Sequence, residues 1–255
     1  MTVAQTPTAP RPLAGIGIDG SCYSADDAGL TVDMHGWHSD HPIFTEVFQK
    51  HRPKLVCEIG TWKGASVLHM HDLAKSLGLE THFICIDTWL GSNDTLWVEA
   101  DLRAHLRLDH GYPNMFRQFV YNVKAAGAQD YISPFPITST AAARVFHRLG
   151  IKLDALYIDA GHEEEEVYFD IKLFYGSVVE GGAIFGDDYH ERWPGVIRAV
   201  NRFCAEKNLE LKAGDGKFYF VKRTTPRTWW QNVLYRSAVT MRGAFRRMRP
   251  VLFGR

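Results

Sequence analysis

Four short apolar runs in this 255-residue chain end in acidic side chains, and the loops after them carry the residue types that could do chemistry. KLVCEIG (54–60) contains Glu58 and leads through Gly60, Thr61, Trp62 and Lys63 to Gly64 and Ser66. THFICID (81–87) ends on Asp87. LDALYIDA (153–160) contains Asp159, with His162 three residues later. GGAIFGDD (181–188) closes on Asp187 and Asp188.

The first loop reads E-x-G-x-x-x-G. It is neither a P-loop nor the three-glycine turn that rests a pyrophosphate on a helix N-terminus. Gly60 allows a tight turn and Gly64 a close approach of helix and ligand. An acid beside the ligand repels pyrophosphate but suits a cationic group. Asp87 is placed to accept hydrogen bonds from ribose hydroxyls. An amino acid moiety, a ribose and a positive charge together describe S-adenosylmethionine, which these residues favour over NAD.

If the later runs are neighbouring strands, Asp159, Asp187 and Asp188 converge at one edge of a cleft. Such a cluster repels itself unless a cation is present. Oxygen ligands without a nearby cysteine select a hard ion, Mg²⁺, Mn²⁺ or Ca²⁺. The bland alternative is that Asp187 and Asp188 only cap the next loop. A neutral His162 could take a proton from a substrate hydroxyl, an effect worth ~10²–10⁴ in rate. Alternatively it supports a neighbour or caps a helix.

The elements that must position these groups alternate. Helical periodicity is expected over 41–50, 65–77, 116–126, 140–149, 164–179 and 195–207, with strands over 54–60, 81–87, 132–136, 153–160 and 181–188. LELKAGDG and KFYFVKR read as a closing hairpin. The fold expected is α/β, a Rossmann-like, doubly wound, mostly parallel sheet with an antiparallel C-terminal hairpin, whose ligands bind at the strand ends. Residues 1–40 read as a flexible segment with a substrate-side loop, 41–223 as the domain, and 224–255 as a basic amphipathic tail.

Composition excludes several classes. The chain is 45% hydrophobic and 23% charged, with 15 Phe, 10 Tyr and 7 Trp, so it builds a core. No apolar run approaches the ~20 residues of a membrane span, and the N-terminus lacks a signal-peptide stretch. Cys22, Cys57, Cys85 and Cys204 form no C-x-x-C pair, which fits a reducing cytoplasm. Nine of the 29 Lys and Arg lie from Lys222 onward without an acid, leaving 20 basic against 29 acidic residues before them. An acidic body disfavours nucleic acid as partner. The tail, apolar at helical spacing from Trp230 to Met248, could lie on an anionic membrane surface, pair with a protein, including a second copy, or stay loosely ordered. His35, His38 and His41 read as cleft lining, and Glu163–Glu166 as acids favoured at a helix start. Trp62 and Trp89 pack over the ligand or in the core.

CEIGTWKGAS, FICIDTWLGS, LYIDAGHEEEEVYFD and GGAIFGDDYHERWPGVIRAV together resemble class I S-adenosylmethionine-dependent methyltransferases. The nearest subgroup is the metal-dependent sugar O-methyltransferases of the macrocin and mycinamicin type, over roughly residues 37–222. The resemblance implies cofactor contacts at Glu58, Gly60, Thr61, Gly64, Ser66, Asp87 and Thr88, with Ser139 near the adenine. It implies Mg²⁺ (or Mn²⁺) on Asp159, Asp187 and Asp188, and His162 or Asp159 as the base. The function expected is Mg²⁺-dependent methylation of a hydroxyl on a sugar or glycosylated small molecule, in natural product or glycan biosynthesis. A catechol or polyketide hydroxyl, or cofactor binding without turnover, are the alternatives. The large N-terminal domain of some relatives is not expected here, and the 89–115 insert matches no sugar-specific pattern.

Overall fold

The computed structural model describes residues 11–27, 29–91 and 95–224. The chain divides into two units, Met1–Arg223 and Thr224–Arg255. Beyond Thr224 the second unit, and with it the expected amphipathic tail, lies outside the described residues.

The first unit alternates strand and helix. Helix α1 is Ile43–His51, followed by β1 Leu55–Ile59, α2 Ala65–Ser76 and β2 His82–Asp87. Two short helices, α3 Thr95–Val98 and α4 Ala100–Ala104, lie in the insert. Then come α5 Met115–Ala125, β3 Ile132–Pro136, α6 Ser139–Leu149, β4 Leu153–Ile158 and α7 Glu164–Phe174. The unit closes with β5 Val178–Tyr189, α8 Pro194–Lys207, β6 Lys212–Gly214 and β7 Gly216–Val221.

The strands form one sheet in the order β3-β2-β1-β4-β5-β7-β6. β1 to β5 run parallel, and β7 pairs antiparallel with β5 and with β6. Side chains alternate between two cores. Cys57, Ile84, Leu156 and Ile184 meet α6, α7 and α8 on one face. Val56, Phe83, Tyr157 and Phe185 meet α1, α2 and α5 on the other. Strands buried on both faces need near-continuous apolar sequence, which these have. The expected α/β fold with its antiparallel hairpin is the fold observed.

Winding reverses between β1 and β4, which opens a crevice at the carboxyl ends of these strands. The register fills that crevice. Ile59 stands level with Ile86 and Ile158, and Ile158 with Gly186. One residue further on, Asp87, Gly60, Asp159 and Asp187 therefore form a row across four adjacent strands.

Two expectations are corrected. The helix expected to run to residue 179 stops at Phe174, where Ser177 donates back to the Phe174 carbonyl at 2.8 Å. β-Branched Val178 and Val179 join the sheet instead, Val178 pairing with Leu153. The segment before residue 41, expected to be loose, is docked over much of its described length. Leu13 is buried in one core, and the Tyr23 hydroxyl and Arg11 guanidinium both donate to the Ile132 carbonyl. No helix among the described residues is long and apolar enough to cross a membrane.

Candidate active site

β1 delivers Glu58 into the interior, where it is fully buried. One carboxylate oxygen accepts from the Ser66 hydroxyl at the start of α2, whereas Oε2 and the neighbouring Thr61 Oγ1 have no hydrogen-bond partner. Burial pushes the Glu58 carboxyl well above the usual range, and Asp159 and Asp87 push it further. These two buried oxygens lie side by side at the glycine turn that ends β1. Gly60 (φ +79°) is fixed by close approach, since a Cβ there would fall 1.8 Å from the Asp159 carbonyl oxygen. Gly64 (φ +91°) faces the Phe119 ring.

Asp87, expected to face a ribose, binds backbone amides of the protein. Its Oδ2 accepts from the amides of Thr61 and Trp62 at 3.0 and 2.9 Å, and Oδ1 from the Trp89 amide at 2.7 Å. It thereby ties the loops after β1 and β2 together. Thr88 Oγ1 accepts from the Leu90 amide. Ser139 opens α6 and hydrogen-bonds Asp170 of α7, a partner within the protein that the expected adenine contact did not foresee. Trp62 and Trp89 (both φ +52°) and Asp188 (φ +63°) hold left-handed backbone. For a tryptophan that conformation is strained, and strain of this kind concentrates at functional sites.

Asp159, Asp187 and Asp188 line one small cavity together with Gly161 and Phe218. Burial raises the Asp159 carboxyl well above its usual range, and the charges of Asp187 and Asp188 add to this. His162 lies 3.0 Å from Asp188 through Nε2 and stacks on Trp193 at 3.8 Å with the rings 17° apart. The structure thus brings the expected base and the acids to the same strand ends as Glu58 and Asp87.

Separate from that cavity, distant segments build a wall of packed rings around the β1 loop. The His35 ring stacks on His105 of the insert at 3.9 Å, and Trp37 lies 5.8 Å from Trp62. Lys63, fully buried, clamps the wall by binding Asp33 and His105 Nδ1. Of the three histidines expected near the cleft, His35 belongs to this wall, while His41 accepts from the Ile43 amide ahead of α1. Neither Nδ1 of His35 nor Nε1 of Trp62 has a hydrogen-bond partner.

Residues 57–189 match the family described as a methyltransferase domain. The chain belongs to that family. The domain is 43% identical over 151 residues to an uncharacterized protein of Acanthamoeba polyphaga mimivirus, a match covering 58% of each chain. The chain therefore spans just over half the length of that curated relative.

Solved structures share the methyltransferase fold at low identity. The O-methyltransferase NovP superposes with a TM-score of 0.54 at 19% identity, covering 76% of this chain and 84% of NovP. A putative caffeoyl-CoA O-methyltransferase from Staphylococcus aureus gives 0.51 at 14%, covering 76% and 86%. The O-methyltransferase from Bacillus cereus, in complex with S-adenosylhomocysteine, gives 0.50 at 13%, covering 87% and 94%.

Within this methyltransferase domain the expected metal set is not assembled. Among the described residues no group of three or more His, Cys, Asp or Glu side chains is arranged to hold a metal ion. Asp187 Oδ2 is taken by the ammonium of Lys217, and Asp188 is turned onto His162. Three carboxylates around one ion were expected; one of them has a lysine and another a histidine. Lys217, Tyr157 and Trp193 were not singled out from sequence. The signal for Lys217 was there: a lone charge in the strand KFYFV, on the same inward side as Tyr219, which lies on the α1/α2/α5 face.

Proposed function

We propose that the chain is an S-adenosylmethionine-dependent O-methyltransferase that methylates a hydroxyl of a sugar or glycosylated small molecule. The observation that carries this reading is the row at the strand ends, with the unpartnered Glu58 oxygen near the end of β1 and the His162–Asp188 pair at the ends of the next two strands, β4 and β5. The resemblance of the motifs to sugar O-methyltransferases supports the acceptor, as does the aromatic wall, which offers flat faces to a ring. NovP and the Bacillus cereus protein named above are O-methyltransferases, which supports oxygen as the methylated atom.

Bound S-adenosylmethionine supplies a methyl group on a sulfonium sulfur, open to in-line displacement. Burial favours the neutral Glu58 carboxyl, and a cationic donor placed beside it would draw out its negative charge in a buried setting, where such a contact is strong. Glycines 60 and 64 let the backbone approach it closely. The wall of His35, Trp37 and Trp62 orients the acceptor and keeps water from it. The His162 imidazole takes the hydroxyl proton as the oxygen attacks, and Asp188 stabilises the imidazolium that forms, the role of the third group in a base–orienter arrangement. The geometry does not fit Mg²⁺ on Asp159, Asp187 and Asp188, and no step depends on it. Four free cysteines, Cys57, Cys85 and Cys204 of them buried, support a reducing cytoplasmic setting. Incubating the protein with methyl-labelled S-adenosylmethionine and a panel of sugars, glycosides and catechols tests the reading. Label on a sugar oxygen is expected, and label on a catechol alone would move the acceptor class.

A further inference from the structure

We propose that Lys217 is the resident cation of the acid cluster, standing in for a divalent ion, so that the methyltransferase site is charge-balanced without metal. The inference rests on the reading of the site given above.

Lys217 is the first side chain of β7 to face the sheet interior, and it is 1% exposed. Its ammonium binds Asp187 Oδ2 and donates to the Tyr157 hydroxyl at 2.9 Å. It also lies 5.5 Å from the Phe44 ring centroid and 5.4 Å from that of Tyr157, near enough for the rings to attract it. Tyr157 passes its own proton outward, donating to Asp159 Oδ2 at 3.3 Å. One chain of contacts therefore runs Asp187–Lys217–Tyr157–Asp159 across β5, β7 and β4, behind the cavity that the acids line.

A buried ammonium is stable only where anions and hydrogen-bond acceptors surround it, and removing it leaves a buried carboxylate uncompensated. Lys217 has both kinds of partner. A divalent ion seated on the same Asp187 oxygen would displace the ammonium or face it at contact distance. Lys217 binds Asp187 and does not line the cavity, so it is a positioning residue: it fixes the direction of Asp187 and, through Tyr157, the hydrogen bond to Asp159.

The test uses the full chain loaded with S-adenosylhomocysteine and follows free Mn²⁺ by electron paramagnetic resonance. Wild type is expected to leave Mn²⁺ free up to about millimolar concentration, the weak end of ordinary affinities. Lys217→Met, which releases Asp187, is expected to take up one Mn²⁺ at least tenfold more tightly, and adding Asp187→Asn should abolish that gain. Lys217→Arg, which keeps the charge, should behave as wild type. One Mn²⁺ bound tightly per wild-type chain and lost in Asp187→Asn would overturn the proposal. If Lys217→Met does not fold, the wild-type titration still decides. Failure to bind S-adenosylhomocysteine at all would instead reject the functional reading beneath it.

Discussion

His162 Nε2 lies 3.0 Å from Asp188 Oδ2, with its ring face against Trp193. The loop after β4 and the end of β5 thus hold one imidazole by an edge and a face. A base so fixed contributes ~10²–10⁴ in rate. His162→Gln should lower the rate of methyl transfer in a single turnover by about that factor while leaving S-adenosylhomocysteine affinity within about twofold. Asp188→Asn should lower it by a smaller factor. An unchanged rate in both variants would remove His162 from the chemistry.

Glu58 is buried, raised in pKa by that burial, and has an unpartnered oxygen. Glu58→Gln keeps the shape and removes the charge the site can offer a sulfonium. Affinity for S-adenosylmethionine should fall about tenfold, ~1.4 kcal/mol, and affinity for neutral-sulfur S-adenosylhomocysteine by less. Calorimetric titration of both ligands reads the ratio; equal losses would place the sulfonium away from Glu58.

Gly60 cannot carry a side chain without moving Asp159, because the added Cβ would sit 1.8 Å from its carbonyl oxygen. Left-handed backbone adds ~1–3 kcal/mol of strain. Gly60→Ala should lower the melting temperature by about 8 °C or more, measured by circular dichroism. Gly127→Ala has the strain but open space around its Cβ, and should cost much less.

Much of this was legible in the sequence, because strands buried on both faces are apolar throughout and end abruptly at glycine and acid. The row of Asp87, Gly60, Asp159 and Asp187 follows from that pattern once the strands are ordered. Residues supplied from far along the chain were not legible. Lys217 reaches Asp187 only because β7 inserts antiparallel beside β5, and Trp193 supports His162 only because the loop before α8 folds back. Asp33, Lys63 and His105 meet through packing of three loops, which no local periodicity encodes. The 164–179 pattern misled because Val178 continues the helical spacing, while its pairing with Leu153 decides its state.

Asp170, buried on α7, has its carboxyl pushed up to about 6, chiefly by burial. The folded state then holds a proton that the unfolded chain releases near pH 4. Its stabilising contribution is complete below about pH 4 and is lost as pH rises through about 6. The loss amounts to about 3 kcal/mol at most, taking ~1.36 kcal/mol per unit. Asp170→Asn should therefore gain stability relative to wild type between pH 4 and 7 in urea denaturation. A constant difference across that range would show that Asp170 does not titrate there.

Donor binding is the most direct test that the row at the strand ends is a methyl-donor site. Titrating S-adenosylhomocysteine and NAD into the full chain by calorimetry should give one binding event for the first, weakened in Glu58→Gln, and none for the second. Binding of NAD without S-adenosylhomocysteine would contradict the assignment outright.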